Sequence, residues 1–379
     1  MTLSTAERDE LHSTARALLG RSSSSEQVRR AVATDAGYDP DLWAQMVELG
    51  WTTIHVPEHL GGAGCGYADL AVVVHELGRS LTPSPFLASA VLATGALVEA
   101  QPSEAANEAL AGIVAGTSIG SVAFASVEGS YEVSELGVTW ALDGATVQLD
   151  GEAGFVLDAD VADVLVVAGR ATDGTTAVVL VGSKTAGLRV ESTPTVDLTR
   201  RLFRVSFDRV QLGADRLLAE PGAPSAALLD RVLALGVVAA AGDAVGAAEQ
   251  ALESTAAYAR ERTQFGKPIG TFQAVKHHCA NMAVSVESSR AATRAAAAEL
   301  DADRSGWRTT AGITASYVGP ACSDACALAM RVHGGIGFTW EHDTHLQMKR
   351  VKLDQTLFGS PSWHRRRLAD AVFPDLVST

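Results

Sequence analysis

The sequence predicts a mostly α-helical α+β protein in three blocks: an N-terminal helical domain over residues 1–118, a middle β-barrel or sandwich over 119–219, and a C-terminal four-helix bundle over 220–379. Three observations carry that expectation. Before residue 118, apolar side chains recur at helical spacing. From 119 to 219, short runs of β-branched and aromatic residues alternate with Gly, Asp and Pro, the pattern of an all-β region. Beyond 220, four long Ala-rich stretches are separated by short Gly or Pro breaks, which suits antiparallel helices. A chain of 379 residues with 47% apolar content can bury a real core in such an arrangement.

In the first block, Leu42, Met46 and Leu49 share helical spacing, and Tyr67 to Leu77 carries a second apolar stripe. Between them, Trp51 to Val56 reads as a short extended run, closed by Pro57 and the pair Gly61-Gly62. In the second block the strand segments are Val122 to Ser126, Thr146 to Leu149, Val164 to Ala168, Thr176 to Val181, Leu188 to Glu191 and Leu202 to Phe207. In the third, helices are expected at about 223–258, 272–301, 307–332 and 344–371.

Charge narrows the partners. A net charge of -14 argues against nucleic acid and against an anionic membrane surface, both of which need broad basic faces. The four cysteines suggest no disulfide framework in a chain this long. Cys322 and Cys326 have helical spacing, but no matching Cys or His pair follows at ligand distance, so no metal is expected. The N-terminus lacks a basic stretch leading into an apolar run, and the longest apolar stretch, Val232 to Ala241, is too short to span a bilayer. The expected location is the cytoplasm.

The most informative stretch begins at Arg262 and reads Arg-Thr-Gln-Phe-Gly-Lys-Pro-Ile-Gly-Thr-Phe-Gln, ending at Gln273; further on comes Arg331-Val332-His333-Gly334-Gly335-Ile336-Gly337-Phe338. An Arg at the start of a Gly/Pro turn, a Gln beyond it and a Gly pair ending a helix suit the grip of a dinucleotide. The guanidinium pairs with phosphate, and paired glycines let the backbone approach closely. The order and spacing resemble the C-terminal domain of the acyl-CoA dehydrogenases. The stretch from Gly50-Trp51 through Val56-Pro57-Glu58 to Gly61-Gly62-Ala63-Gly64 resembles the same family's N-terminal domain, and the helix–strand–helix order resembles its fold over essentially the whole chain.

The resemblance implies FAD-dependent α,β-desaturation of an acyl-CoA thioester, with electrons passed to electron-transfer flavoprotein. It also implies that Arg262, Phe265, Gln273, Gly334 and Gly335 hold the pyrophosphate and adenine end of the neighbouring subunit's FAD. Arg331 replaces a family Gln and can still meet a phosphate. In this family a Glu removes the α-proton, usually from the position before a Gly-Thr/Ser pair. Here Phe358 precedes Gly359-Ser360, and a phenyl ring accepts no proton. A minority of members place the Glu on the first bundle helix, where this chain has Gly236. Asp230 and Asp243 on that helix are about 9–10 Å from Gly236 along the axis at 1.5 Å per residue. Asp354, four residues before Phe358, is the one stand-in base considered, sharing a face with it if the segment is helical.

The contacts to a subunit's own flavin ring are also altered. The family's Thr-Glu-Pro…Gly-Ser-Asp loop corresponds to Phe124-Ala125-Ser126-Val127-Glu128-Gly129-Ser130, and its Trp-x-Thr/Ser to Phe155-Val156-Leu157. What is missing is what a subunit uses on its own flavin and substrate; what remains is what it lends to a neighbour. The leading reading is therefore a non-catalytic subunit in a heterotetramer, completing the FAD site of a Glu-bearing paralogue. Such assemblies occur in actinobacterial steroid side-chain degradation, a branch of lipid metabolism. Two others stand beside it: a self-sufficient flavoenzyme using Asp354 or other flavin chemistry, and a flavin-free acyl-CoA-binding or scaffold protein. His333 reads as a packed imidazole, His364 to Arg367 as helix surface with CoA phosphate as a possible contact, and Arg200, Arg201 and Arg204 as a domain-joining ionic patch.

Overall fold

Serine and aspartate caps open most of the early helices of the computed structural model, which describes residues 2–302 and 306–373. α1 (Thr5–Ser22) starts from a Ser4/Glu7 capping box and α2 (Ser25–Val32) from Ser24/Gln27. Asp39 caps α3 (Pro40–Glu48), whose Pro40 sits in the first turn where no N–H is needed. The segment from Trp51 to Val56 is not extended. It forms a 3-10 turn at Trp51–Thr53, all six residues are buried, and local bonds such as Val56 N to Thr53 O replace a strand partner. α4 (Tyr67–Arg79) follows, then a wide helical turn at Leu87–Ala93 running into α5 (Thr94–Val98), then α6 (Glu104–Val114). Leu42 and Met46 are buried as their spacing requires, whereas Leu49 lies just past the end of α3 and is 50% exposed.

Seven strands then form one sheet: β1 (Gly120–Ala123), β2 (Val138–Asp143), β3 (Thr146–Leu157), β4 (Val164–Arg170), β5 (Thr176–Gly182), β6 (Leu188–Thr193) and β7 (Leu202–Gly213). Their order is β1-β4-β2-β3-β7-β6, with β5 beside β4. Leu149, Leu165, Val167, Val179, Val205 and Phe207 point into one core. The sequence reading missed β2, although Val138, Trp140 and Leu142 alternate and a two-residue turn at Gly144-Ala145 joins Asp143 to Thr146. β3 runs eight residues beyond its expected end and carries a bulge between Ala153 and Val156.

The remaining chain is α7 (Ala223–Glu261), the small hairpin β8 (Thr263–Gln264) and β9 (Lys267–Pro268), α8 (Gln273–Asp301), α9 (Trp307–His333), α10 (Thr344–Asp354) and α11 (Pro361–Val372). The single helix expected over 344–371 is two. Phe358 and Gly359 both adopt positive φ (62° and 107°), and Ser360 with Pro361 starts a new capped helix. α7 is long and apolar enough to cross a membrane on length and composition alone, but its apolar window is 78% buried, which marks a core helix.

Packing groups the chain into two compact units. One comprises Thr34–Gly66 and Pro83–Gly236 and holds the sheet; the other comprises Leu3–Ala33, Tyr67–Thr82 and the chain from Val237. In the second unit, α8, α9, α10 and α11 pack with the latter half of α7 and with α1 and α4. α4 and α7 cross in backbone contact: a Cβ on Gly246 would lie 2.0 Å from the His75 carbonyl oxygen, and one on Gly78 would lie 2.1 Å from that of Asp243. Only glycine allows that approach.

Candidate functional site

Many of the residues singled out by sequence fall at two places in the second unit, one open and one closed; Gly236, Phe155, Leu157 and the loop from Phe124 to Ser130 belong to the first unit. At the open place, Arg262 leaves α7 with its amide bonded to the Tyr258 carbonyl and its own carbonyl accepting from Ile269 N, both at 2.8 Å. The β8–β9 hairpin turns through Phe265 and Gly266, both at positive φ (53° and 77°), as a two-residue hairpin loop requires. That turn leaves Phe265 92% exposed, its ring edge-on to Phe272 at 6.1 Å. Gln273 is the first residue of α8 and is exposed. Arg331 lies in the last turn of α9, and Gly334 ends that helix at φ 64°.

Tyr258, one turn before Arg262, stacks on His333 at 4.6 Å, and so brings the end of α7 to the end of α9. Arg262, Phe265, Gln273, Arg331, Gly334 and Gly335 are all exposed. Neither Arg262 nor Arg331 pairs its guanidinium with a carboxylate among the described residues. A Cβ on Gly334 or on Gly335 would meet nothing within 4 Å. The positive φ explains glycine at 334; nothing in this chain's own packing explains it at 335. Uncommitted guanidiniums beside open backbone fit the phosphates of a dinucleotide. Ile336 and Phe338 are 47% and 70% exposed beside them, an apolar border that sequence reading had not singled out.

The closed place is the end of α10. Asp354 is the last residue of that helix and is buried, at 5% exposure; because the helix stops there, Phe358 is not one helical turn further along it. Phe358 is 3% exposed, and its carbonyl oxygen meets His364 Nε2 at 3.0 Å. The cavity beside them, lined by Val237, Ala241, Thr314, Gly319, Asp354 and Leu357, has a volume of about 20 Å³. That is room for about one water molecule. Gly236 is buried within α7. Asp243, weighed above as an acid on that helix, is committed elsewhere: Arg350 donates Nε to Oδ2 at 2.7 Å and Nη2 to Oδ1 at 3.1 Å, with both side chains at most 3% exposed.

In the first unit, Leu157 is 3% exposed and Phe155 sits in the β3 bulge at φ 53°. The loop from Phe124 to Ser130 closes directly over that bulge. Gly154 N donates to Ala125 O at 3.0 Å, Ser130 N donates to Ser126 Oγ at 3.2 Å, and a Cβ on Gly129 would lie 3.2 Å from the Phe155 ring. Phe155 thus packs on its own loop. Arg201 ties the Asp35 and Ala36 carbonyls and Asp160 to β7, and Arg204 faces Glu152.

The remaining candidates are structural in their surroundings. His333 bonds Ala329 O through Nδ1, and burial lowers its pKa. Burial pushes the His364 imidazole down to about 4, while Arg365, Arg366 and Arg367 lie exposed on α11. Burial pushes the Cys322 thiol up to about 12 and Cys326 higher still, so both behave as small apolar side chains. His12, His75 and Glu76 come close enough to hold a cation. Their one acid is already balanced, however, because Arg16 grips Glu76; close by, Arg290 grips Glu249, which meets His75 Nε2. Burial would raise the Glu249 carboxyl, but the His75 hydrogen bond and the His75 and Arg290 charges outweigh it and hold it at about 2.

Comparison with known proteins identifies the family. The acyl-CoA dehydrogenase N-terminal domain matches residues 5–117 and the acyl-CoA dehydrogenase C-terminal domain matches 227–373. The chain is 34% identical to acyl-CoA dehydrogenase IpdE2 of Mycolicibacterium smegmatis over 97% of its own length and 99% of the relative's. Among solved structures it is similar to the ChsE4-ChsE5 complex of Mycobacterium tuberculosis, at 25% identity and a TM-score of 0.87 over 100% of this chain and 99% of that one. It is also similar to a Tcur3481-Tcur3483 steroid ACAD variant, at 26% identity and a TM-score of 0.87 over 98% and 99%. The chain belongs to the acyl-CoA dehydrogenase family.

Proposed function

We propose that this chain is the non-catalytic subunit of a heteromeric acyl-CoA dehydrogenase, and that it completes the FAD site of a paralogue carrying the catalytic Glu. One observation carries the reading. The residues suited to a neighbour's dinucleotide are exposed and uncommitted, whereas Phe358, at the usual base position, is apolar, buried and beside a cavity of about 20 Å³. The exposed Phe265, Ile336 and Phe338 around the first set suit a surface that a partner subunit covers. Similarity to the ChsE4-ChsE5 complex supports a paralogous partner, and similarity to the Tcur3481-Tcur3483 steroid ACAD supports a steroid-derived acyl-CoA as substrate of the whole; the proposal places that whole in the cytoplasm with electron-transfer flavoprotein as acceptor.

In this role Arg262 and Arg331 would meet the pyrophosphate, and Gly334-Gly335 would let the backbone approach it. Gln273, at the start of α8, and the Phe265 ring would bound the adenine end. When bound, FAD supplies hydride acceptance from the acyl β-carbon; this chain supplies binding and exclusion of water. The test is to purify the protein alone and after co-expression with a Glu-bearing paralogue, and to compare flavin absorbance. Flavin only with the partner is the expected result. Flavin in the lone protein would favour the Asp354 enzyme, and none in either would favour the scaffold.

A further inference from the structure

The open place is made of two exposed stretches, and both are rooted at one ring contact. Residues 260–268 are all exposed, and the chain turns back at Gly270, where a Cβ would lie 2.9 Å from the Ala259 carbonyl oxygen. Gly334, Gly335 and Ile336 are exposed too, and that stretch turns back at Gly337, where a Cβ would lie 3.1 Å from the His333 Cβ. At the feet of the two stretches stand Tyr258, half-buried, and His333, 4% exposed. Their rings stack with centroids 4.6 Å and planes 24° apart. We propose that His333 is a positioning residue for the dinucleotide surface: its ring, in contact with Tyr258 and His342, fixes the Arg262 guanidinium relative to the Gly334-Gly335 backbone. The proposal rests on the reading that this surface meets a partner's FAD.

The ring makes this connection, and its nitrogens do not. Nδ1 is spent inside α9, 2.8 Å from the Ala329 carbonyl oxygen, and Nε2 is buried with no hydrogen-bond partner among the described residues. The His342 ring lies 4.4 Å from that of His333 and is itself tied to the glycine turn. Thr344 Oγ1 is 2.6 Å from His342 Nδ1 and 3.2 Å from the Gly337 carbonyl oxygen. The end of α7, the end of α9 and the turn after Gly334 therefore meet at one imidazole. Arg262 stands one turn beyond Tyr258, so movement at the stack shifts the guanidinium and the glycines relative to each other. A grip on one ligand needs both in register.

Two variants separate the ring from its nitrogen. His333→Phe keeps the stack and loses the Nδ1 donor, whereas His333→Asn keeps a donor near Nδ1 and loses the ring. In the lone full-length chain, hydrogen exchange would be followed at bonded amides of each stretch: Arg262 and Ile269 in one, Gly334 and Thr339 in the other. His333→Asn should speed exchange in both stretches by about tenfold, the order of one aromatic pair, with His333→Phe within about twofold of wild type. In the co-purified complex, FAD affinity should fall by about tenfold in His333→Asn and stay within about twofold in His333→Phe. Arg262→Ala is measured beside them.

Unchanged exchange at either stretch in His333→Asn would overturn the proposal whatever the flavin does. So would full FAD affinity in His333→Asn where Arg262→Ala has lost it, because the flavin reading would then stand without His333. A loss in His333→Phe as large as in His333→Asn would also overturn it, by giving the role to Nδ1. Full FAD affinity in Arg262→Ala would overturn the flavin reading and this proposal with it. If His333→Asn does not fold, Tyr258→Leu removes the same stack from the other side and carries the same expectations.

Discussion

The open and closed places of the second unit are built from the same helices and differ in what their polar groups are doing. Near Gly334-Gly335 the guanidiniums of Arg262 and Arg331 face solvent with no partner among the described residues, and large apolar side chains stand exposed. Near Phe358 the volume is filled, and close by in the same unit Arg350 and Asp243 satisfy each other in the core. On the proposed reading a partner completes the first surface, whereas the second leaves only a cavity of about 20 Å³.

The largest effect expected belongs to the closed place. Arg350→Ala removes the guanidinium that grips the buried Asp243 carboxylate, and breaking such a pair costs about 3–5 kcal/mol. Chemical denaturation should show that loss, and replacing both partners with apolar residues should recover much of it. A loss below about 1 kcal/mol would mean water reaches the pair, and the closed place would not be closed.

Next comes the open place. Arg262→Ala removes one side of a charge-assisted pair with a partner's FAD, at about 2–5 kcal/mol, or roughly 30- to 3,000-fold in affinity. The co-purified complex should lose flavin at unchanged gel-filtration volume, with Arg262→Lys recovering only part because it lacks the planar fork. Unchanged flavin occupancy in Arg262→Ala would erase the contrast between the two places.

Acid should act on the closed place. His364 is buried beside the Phe358 carbonyl, and burial depresses its folded pKa to about 4 from an ordinary 6.5. Its contribution is thus present above pH 6.5 and is lost as pH falls from there through 4, by up to about 3 kcal/mol. His55, buried with its pKa also at about 4, adds a parallel loss in the first unit. His364→Gln should flatten part of the stability decline between pH 6.5 and 4; an unaltered profile would show that His364 is hydrated.

Phe358→Glu tests whether the closed place is a site lacking one residue. We expect no turnover of any acyl-CoA with an artificial electron acceptor in the lone protein, before or after this change. The cavity stays small, and Phe155 and Leu157 still replace the ring-contacting residues that the family resemblance implies. Activity in the unmodified chain that disappears in Asp354→Asn would instead make Asp354 a base.

Legibility in the sequence followed the range of the interactions. The strands and long helices were readable because their signals are local, as with the β-branched apolar run of Val164 to Ala168 and the Ala-rich run of α9. The split after Asp354 was also written locally, in Gly359-Ser360-Pro361, but helical periodicity on both sides masked it. β2 was missed because three alternating residues make a short signal, fixed by pairing with β3. The open place drew attention as a motif of residue types at set spacing, and the structure joins its two stretches through the Tyr258–His333 stack. The Arg350–Asp243 pair had no such signal, because it gathers segments far apart in the chain and no local pattern records that.

The smallest effect should come from Gly335→Ala, and its smallness is informative. Gly335 has no positive φ, and a Cβ there would meet nothing within 4 Å, so this chain has no steric reason to keep a glycine at the position. Alanine also costs less conformational entropy on folding. The lone protein's stability should therefore change by no more than about 0.5 kcal/mol, in either direction. If the backbone at Gly335 approaches a dinucleotide bound by a partner, the added methyl intrudes on the ligand instead, and the complex loses flavin while the lone chain is unaltered. Measuring Tm on the chain alone and flavin-to-protein ratio on the complex separates the two. A marked drop in the Tm of the lone chain would mean Gly335 serves this chain's own packing. Unchanged flavin occupancy would leave the open surface as an oligomer contact that does not touch the cofactor.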